Sequence, residues 1–415
     1  MAKKFQFDEK IILFFLLNVF FLSLSIPFLQ ILNIFSVKIT LFVVVIVSAL
    51  SFSKIYNYKI YKPGILESLL ILILINFLVS NFYFNFTENL NYDSVISIAT
   101  YIIIVVLFFF MMAKRLRMCN EKFDLFTDYI LIFAIVLSFV SLVFYALGIH
   151  AIPQYSHTSA GLFGHPNTTS MFYTICIPVL IYKYFTKKIS FALFSVLMFL
   201  FVTVLLFTYS RAGYIGVGVG ILIYTYYRSK ALFFFVLLFV VLIATTIVME
   251  FATAKVDSSL SRILLISAAI SIITFSEKSF LWGYGPVNAI QKFQQEKLFY
   301  GDEPVKNPHN VFLMLSMQFG VLFTAIVTVS VLVLLIKGMM LKSRNKNFDD
   351  DQRLGLSLTI VAGLSIQNFL EDVLVDPNIF FMSVYLIFAG YIFYSIRLKD
   401  LHVNDDNPGN VRVLN

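Results

Sequence analysis

The sequence predicts an all-α membrane protein, a bundle of about twelve transmembrane helices. Of its 415 residues, 60% are hydrophobic and only 13% are charged, and its mean hydropathy is +0.88. Because soluble globular domains carry about 25% charged residues, this composition excludes that class. Long apolar stretches separated by short basic segments are the second observation, and they are typical of a polytopic membrane protein.

The apolar stretches define the predicted spans, since a helix that crosses a bilayer needs roughly 20 mostly apolar residues. The first stretch follows Lys3, Lys4 and Lys10 but is too long for a signal peptide, so we expect an uncleaved helix. We expect one helical domain over residues 1–400 and a polar cytoplasmic tail over 401–415. The predicted spans are about 11–35, 39–53, 65–84, 95–113, 126–148, 170–186, 189–208, 213–227, 231–251, 311–336, 354–371 and 379–396.

The basic residues predict the orientation, because cytoplasmic loops of membrane proteins collect lysine and arginine. With the amino terminus inside, every inner loop is basic, whereas outer segments carry acidic residues such as Glu88 and Asp93. Both termini are therefore expected in the cytoplasm. The formal net charge of +8 requires no nucleic-acid partner, since the positive charges lie in these loops. Cys119 and Cys176 fall on opposite sides of this map and are not expected to pair.

A long outer segment, residues 252–310, separates the ninth and tenth predicted spans. Within it, Ile263–Phe275 is apolar but too short for the hydrocarbon core. Counting it as a span would also reverse the charge pattern of every later loop. We therefore predict an interfacial or re-entrant helix, capped by Ser258 and Ser259.

Two arginines on the predicted outer face are candidates for anion binding. Arg211 follows Ser210 between two closely spaced spans; a snorkelling anchor is one interpretation. We favour a functional arginine, because ionisable residues in membrane segments are functional by default. Arg262, at the predicted start of the interfacial helix, contacts either lipid phosphate or the same anion as Arg211. Two guanidinium groups would hold a diphosphate bidentately, and a helix amino terminus would add a favourable dipole.

His309 immediately precedes the tenth span, with ten residues between it and Gly320. A lone histidine at a helix start is commonly an interfacial residue. This one closes the long outer segment, however, and a histidine can orient a reacting hydroxyl or contact a phosphate at neutral pH. Upstream, the sequence Gly283-Tyr284-Gly285-Pro286 predicts a sharp turn that folds the segment back.

Two weaker candidates lie on the same face. Residues 161–167 predict a turn, and a role for His165 or Asn167 in holding sugar or lipid is the alternative. Glu371 and Asp372 lie at the outer end of the eleventh span, where ending a helix is favoured over serving as a base.

Two further patterns are interpreted as structural. Asp349-Asp350-Asp351 is expected in a solvated inner loop, far from the outer candidates. Gly216, Gly218 and Gly220 predict close helix packing inside a span rather than a nucleotide-binding loop.

Taken in order, five short motifs resemble the bacterial O-antigen ligase and polymerase superfamily, over residues 160–335. Proteins of that family are bundles of about twelve helices with a large periplasmic loop between spans nine and ten, where this chain has its long outer segment. The motifs are Gly164-His165-Pro166-Asn167, Tyr209-Ser210-Arg211, Arg262, Gly283-Tyr284-Gly285, and His309-Asn310 with Gly320.

The resemblance implies a glycosyltransferase of surface-polysaccharide assembly (O-antigen or capsule), which moves a glycan from undecaprenyl diphosphate to a sugar hydroxyl without a metal or other cofactor. It also implies that Arg211 and Arg262 hold the diphosphate and that His309 is the histidine of the H-x10-G motif. Ser210 and Asn310 lie beside them and are expected to bind substrate, together with the weaker candidates. His309 is the first candidate for the base, and Glu371 or Asp372 the second.

The resemblance places the enzyme in the bacterial inner membrane with its active site toward the periplasm. Nucleotide sugars are absent there, so the donor must carry its own leaving group, and a lipid diphosphate needs cationic stabilisation as charge develops. A repeat-unit polymerase acting on a growing glycan, with a chain-length regulator as a candidate partner, is favoured over a ligase that uses lipid A-core. A flippase or exporter of lipid-linked sugars is the alternative from another class; it should place charges along a path through the membrane.

Overall fold

The computed structural model describes residues 65–79, 102, 104–148, 163, 165–231, 233–234, 236–238, 256–297, 308, 310–342, 348–370 and 379–405. All regular structure within these residues is helical, which confirms the predicted all-α class. The predicted spans at about 11–35 and 39–53 lie outside the described residues. The count of twelve spans therefore stays a prediction.

The described helices overlap the predicted apolar stretches, whereas most of the predicted span 231–251 lies outside the described residues. A π-helical segment, Val105–Met112, leads directly into α2. The α-helices are α1 (Ile65–Leu78), α2 (Ala113–Met118), α3 (Asn120–Ala146), α4 (Pro166–Phe185), α5 (Phe191–Phe207), α6 (Arg211–Arg228), α7 (Val256–Thr274), α8 (Glu277–Trp282), α9 (Pro286–Lys297), α10 (Val311–Lys342), α11 (Phe348–Leu370) and α12 (Ile379–Asp405).

Within the described part of the chain, four helices are long and apolar enough to cross a membrane, judged by length and composition. They are Asn120–Ala146, Val311–Leu341, Asp350–Leu370 and Phe380–Leu398. The last helix extends to Asp405, into residues 401–415, where the polar tail was expected.

Helices α4, α6 and α11 pack together at the centre of the main core. Glycines on α6 allow the close approach: a Cβ placed on Gly216 would lie 3.0 Å from the Gly363 carbonyl oxygen, and one on Gly220 would lie 3.3 Å from Thr359 Cγ2. Contacts this short leave little room for a side chain at either position. The predicted role in close helix packing is therefore confirmed for Gly216 and Gly220.

The described part of the long outer segment, residues 256–297, forms three helices, α7, α8 and α9, of which the sequence predicted one. Helix α7 begins at Val256, so Ser258 and Ser259 lie inside it and the predicted serine cap is wrong. Three apolar side chains on α7, Ile263, Ile266 and Ile270, are exposed. The opposite face of α7 packs in a second core with α9 and α10, formed by Leu265, Ala268, Ala269, Ile272, Ile273, Ala289, Phe293, Val311, Met314 and Met317.

Three glycines, Gly283, Gly285 and Gly320, join this outer segment to α10, and we call them the glycine joint. Gly320 has φ 87° and ψ 163° and kinks α10. The kink leaves carbonyl oxygens of the preceding turn open to other donors, because it interrupts the i to i−4 ladder. The N–H of Tyr284 donates to the Met317 carbonyl at 2.8 Å, and that of Gly285 to the Gln318 carbonyl at 2.8 Å. The predicted turn thus docks directly on the kink.

An ionic network lies where α4 ends and α11 begins. The guanidinium of Arg353, whose side chain is 7% exposed, lies 3.5 Å from the carboxylate of Asp124 and 3.3 Å from that of Asp350. Buried Lys183 pairs with Asp128. Asp350 belongs to α11 and is ion-paired, so the prediction that it lies in a solvated loop is wrong. Helix α4 has 20 residues and is therefore about 30 Å long, which separates this network from the other end of the bundle by roughly the thickness of a hydrocarbon core.

Candidate functional site

Four helix ends meet at the pole of the bundle opposite the ionic network. Helices α4, α6 and α10 begin there, and α11 ends there with Leu370. Two groups near the end of α11 hold these helix ends together. The Gln367 side chain bonds to the first turns of α4, and the Phe369 backbone carbonyl accepts a hydrogen bond from the Asn310 side chain at 2.9 Å. We call His165–Asn167, Ser210–Arg211, Asn310 and Gln367 the helix-end cluster.

The chemistry of this pole follows from the direction of the helices. The first turn of an α-helix presents N–H groups without intrahelical acceptors, and the aligned peptide dipoles give it partial positive charge. Such an end is a natural anion site. Three helix starts at one pole, one of which begins with an arginine, favour a ligand with more than one negative charge.

Helix α4 begins with a histidine cap. His165 Nδ1 accepts a hydrogen bond from the N–H of Asn167 at 3.2 Å, and the His165 carbonyl accepts from the Thr169 hydroxyl at 3.1 Å. Pro166 occupies the first helical position, where its missing N–H costs nothing. Residues 166 and 167, expected in a turn, therefore lie in the first turn of a helix.

The cap predicts how His165 variants behave. His165→Ala should lower the free energy of unfolding by about 1 kcal/mol, whereas His165→Asn should retain the cap and the stability. Thermal unfolding in detergent measures both variants. If His165→Asn unfolds like the wild type but loses more than about tenfold in activity, the imidazole acts on substrate and the cap is not its only role.

A tight turn directs the start of α6. Tyr209 has φ 50°, a left-handed conformation that lets the chain reverse within three residues of the end of α5. Ser210 caps α6: its Oγ accepts from the N–H of Gly213 at 3.2 Å, and the residue is 2% exposed. Ser210, predicted to bind substrate, therefore directs its hydroxyl into the protein. Arg211, the first residue of α6, is exposed, as anion binding requires.

Helix α10 begins with Asn310. Its Oδ1 accepts from the N–H groups of Phe312 at 2.9 Å and Leu313 at 3.1 Å, while its amide nitrogen reaches α11. Asn310, predicted to bind substrate, therefore caps one helix and ties it to another. His309, Glu371 and Asp372 lie outside the described residues, so their roles stay predictions.

Arg262 lies within α7, and its side chain is outside the described part of the structure. Because the helix begins at Val256, Arg262 is in the second turn rather than at the amino terminus. The favourable field of the helix dipole falls off within the first turn. The predicted help from the amino terminus of this helix is therefore wrong, whereas the role of the arginine itself stays a prediction.

The middle of the chain is similar to a known protein family. Residues 196–328 match the family model of the O-antigen ligases. This O-antigen ligase region contains Arg211, Arg262, His309 and the glycine joint, which confirms the predicted resemblance to the superfamily. The first motif, at 164–167, precedes it, and α11 follows it. A comparison with curated proteins finds no match.

The O-antigen ligase match, together with the apolar helices, indicates a multi-pass membrane protein with an O-antigen ligase or polymerase type of activity.

The structure adds residues to the site that were not predicted from the sequence. Ser170, Thr174 and Gln367 are polar, buried and mutually hydrogen-bonded beside Ser210. Each stands in a predicted apolar span, and a polar residue in that setting was the available signal.

Proposed function

We propose that the protein is a membrane glycosyltransferase that moves a glycan from an undecaprenyl-diphosphate carrier to a sugar hydroxyl at the helix-end cluster. The observation that carries this proposal is that hydrogen bonds join the starts of α4, α6 and α10 to one another or to the end of α11, with exposed Arg211 as the first residue of α6. A diphosphate leaving group gains negative charge as its bond to the sugar breaks. Positive helix ends and a guanidinium stabilise that charge.

In the proposed reaction, the acceptor hydroxyl oxygen bonds to the anomeric carbon of the donor sugar. The bond from that carbon to the diphosphate oxygen breaks, and its electron pair leaves with the diphosphate. Arg211 and Arg262 bind the diphosphate bidentately. The hydroxyl proton passes to His309, or to Glu371 or Asp372 as the alternative base. Charge stabilisation comes from protein groups, so the proposal requires no metal ion.

The distribution of charge supports a transferase rather than a flippase. The ionisable residues of α4, α6 and α11 lie at their ends, and the described segments between those ends are apolar or uncharged. A flippase path would need charged groups along its length. We further propose that the helix-end cluster faces the periplasm from the inner membrane, because the opposite pole carries the basic inner loops.

We favour a repeat-unit polymerase, the activity that the sequence analysis also favoured. An O-antigen ligase is the second candidate, because the matching family model is that of the O-antigen ligases. The purified protein in lipid nanodiscs, incubated with undecaprenyl-diphosphate-linked repeat units alone, should give a ladder of longer glycans if it polymerises. If it ligates, product should form only when lipid A-core is added. No glycan transfer under either condition, with movement of the lipid across proteoliposomes instead, would refute the transferase proposal.

A further inference from the structure

Gln367 is a fully buried amide in the last turns of α11, at 0% exposure. An amide in an apolar helix costs free energy unless its polar atoms are hydrogen-bonded. Its Oε1 accepts from the Thr174 hydroxyl at 2.6 Å, and its Nε2 donates to Ser170 Oγ at 3.0 Å. The same nitrogen is 3.5 Å from the Asn167 carbonyl oxygen. One side chain therefore ties α11 to the first turns of α4.

The connection continues into α6. Ser170 Oγ is hydrogen-bonded to Ser210 Oγ at 2.9 Å, and Ser210 is the cap that immediately precedes Arg211. Gly213 allows this approach, because a Cβ placed on it would lie 2.3 Å from the Ser170 Cβ. The start of α6 is thus hydrogen-bonded to α4, and the same Ser170 hydroxyl is hydrogen-bonded to Gln367 of α11. We call Gln367, Ser170 and Ser210 the tether.

We infer that Gln367 is a positioning residue for Arg211, acting through Ser170 and Ser210 without touching substrate. This inference rests on the proposed function, in which Arg211 binds the diphosphate. The side chain of Arg211 is exposed, and Arg211 is the first residue of a helix whose start the tether holds. A shift of about 1 Å in a charge-stabilising group can cost about a hundredfold in rate.

The mechanism predicts a specific pattern of non-additivity. Gln367→Met keeps the side-chain volume close to that of glutamine but removes the tether, and should lower kcat/KM for the undecaprenyl-diphosphate-linked repeat unit by roughly 10- to 100-fold. If the loss acts through Arg211, the double variant Gln367→Met/Arg211→Ala should be no less active than Arg211→Ala alone, since positions that act as a unit are non-additive. A purely structural defect would multiply the two losses.

Asn368 offers a matched control on the same helix. It is also a buried amide, but its Nδ2 donates to the Leu364 carbonyl of its own helix at 2.7 Å. Asn368→Leu should lower the free energy of unfolding about as much as Gln367→Met does. It should leave unchanged the ratio of kcat/KM between the protein with Arg211 and the Arg211→Ala variant. Ser170→Ala removes only the middle hydroxyl of the tether and should reproduce the non-additive pattern, even if Gln367→Met fails to fold.

The outcomes separate this inference from the proposed function. If Arg211→Ala transfers glycan at the wild-type rate, the diphosphate role of Arg211 fails, and the inference fails with it. If Arg211→Ala is impaired but the tether variants are fully active or multiply its loss, only the inference is overturned. Non-additive losses in both Gln367→Met and Ser170→Ala support it.

Discussion

Replacing Arg211 by alanine is expected to lower kcat/KM for glycan transfer by about 10²- to 10³-fold, the usual effect of removing one preorganised charge-stabilising donor. The side chain is exposed, so the free energy of unfolding should change by less than about 0.5 kcal/mol. Arg211→Lys should recover little of the activity, because an ammonium group cannot bind a diphosphate in the bidentate geometry of a guanidinium. Initial rates with purified variants and thermal unfolding provide the two measurements.

Arg115 is the matched control for that substitution. It is also an exposed arginine, but it lies in α2, two residues before Arg117, whose guanidinium is 3.5 Å from the Asp350 carboxylate of the ionic network. Arg115→Ala should leave the rate of transfer within about twofold of the wild type, as for a surface charge remote from the reacting groups. Equal losses in the two variants would mean that net charge, rather than the helix-end cluster, determines the rate.

Hydropathy predicted the membrane helices well, because the bilayer itself dictates how long an apolar run must be. Helix α10 begins at Val311, where the tenth span was expected to begin, and α6 begins two residues before its predicted span. The convergence of the outer candidates at one pole also follows from this map. An alternating series of spans places every second helix start on the same side.

The errors have a common physical cause. Helix α11 includes Asp350, and α7 begins six residues before Arg262. An apolar run reports the part of a helix that contacts lipid or core, whereas the helix itself depends on backbone hydrogen bonds and continues into polar sequence. The helices therefore extend beyond the edges of the apolar runs. Residues predicted as caps or loops at those edges lie inside helices instead.

The tether could not be predicted from local pattern. Gln367 and Ser170 are 197 positions apart in the sequence, and nothing in the spacing around either residue indicates the other. What the sequence does show is a glutamine within an apolar span, which demands a hydrogen-bonding partner without specifying it. The partner becomes evident only when α4 and α11 are packed together.

Gly320 carries the largest expected effect on folding. A Cβ on this residue would lie 2.0 Å from the Leu281 carbonyl oxygen, and its φ of 87° is strained for any side chain. Gly320→Ala should therefore lower the free energy of unfolding by more than about 3 kcal/mol, combining backbone strain with a clash between two backbones. The expected result is a protein that elutes as aggregate or unfolds well below the wild type when heated in detergent.

Gly355 in α11 distinguishes a strained glycine from an ordinary helical one. A Cβ on Gly355 would meet no atom within 4 Å, so Gly355→Ala should be neutral or stabilise the helix by up to about 1 kcal/mol.

The comparison of Gly320→Ala with Gly355→Ala also tests why ten residues separate His309 from Gly320 in the H-x10-G motif. If Gly320→Ala folds normally but loses activity, the glycine serves substrate; if it fails to fold while Gly355→Ala is stable, the spacing reflects the docking of Tyr284 and Gly285 on the kink of α10, and His309 alone can contribute chemistry to the motif.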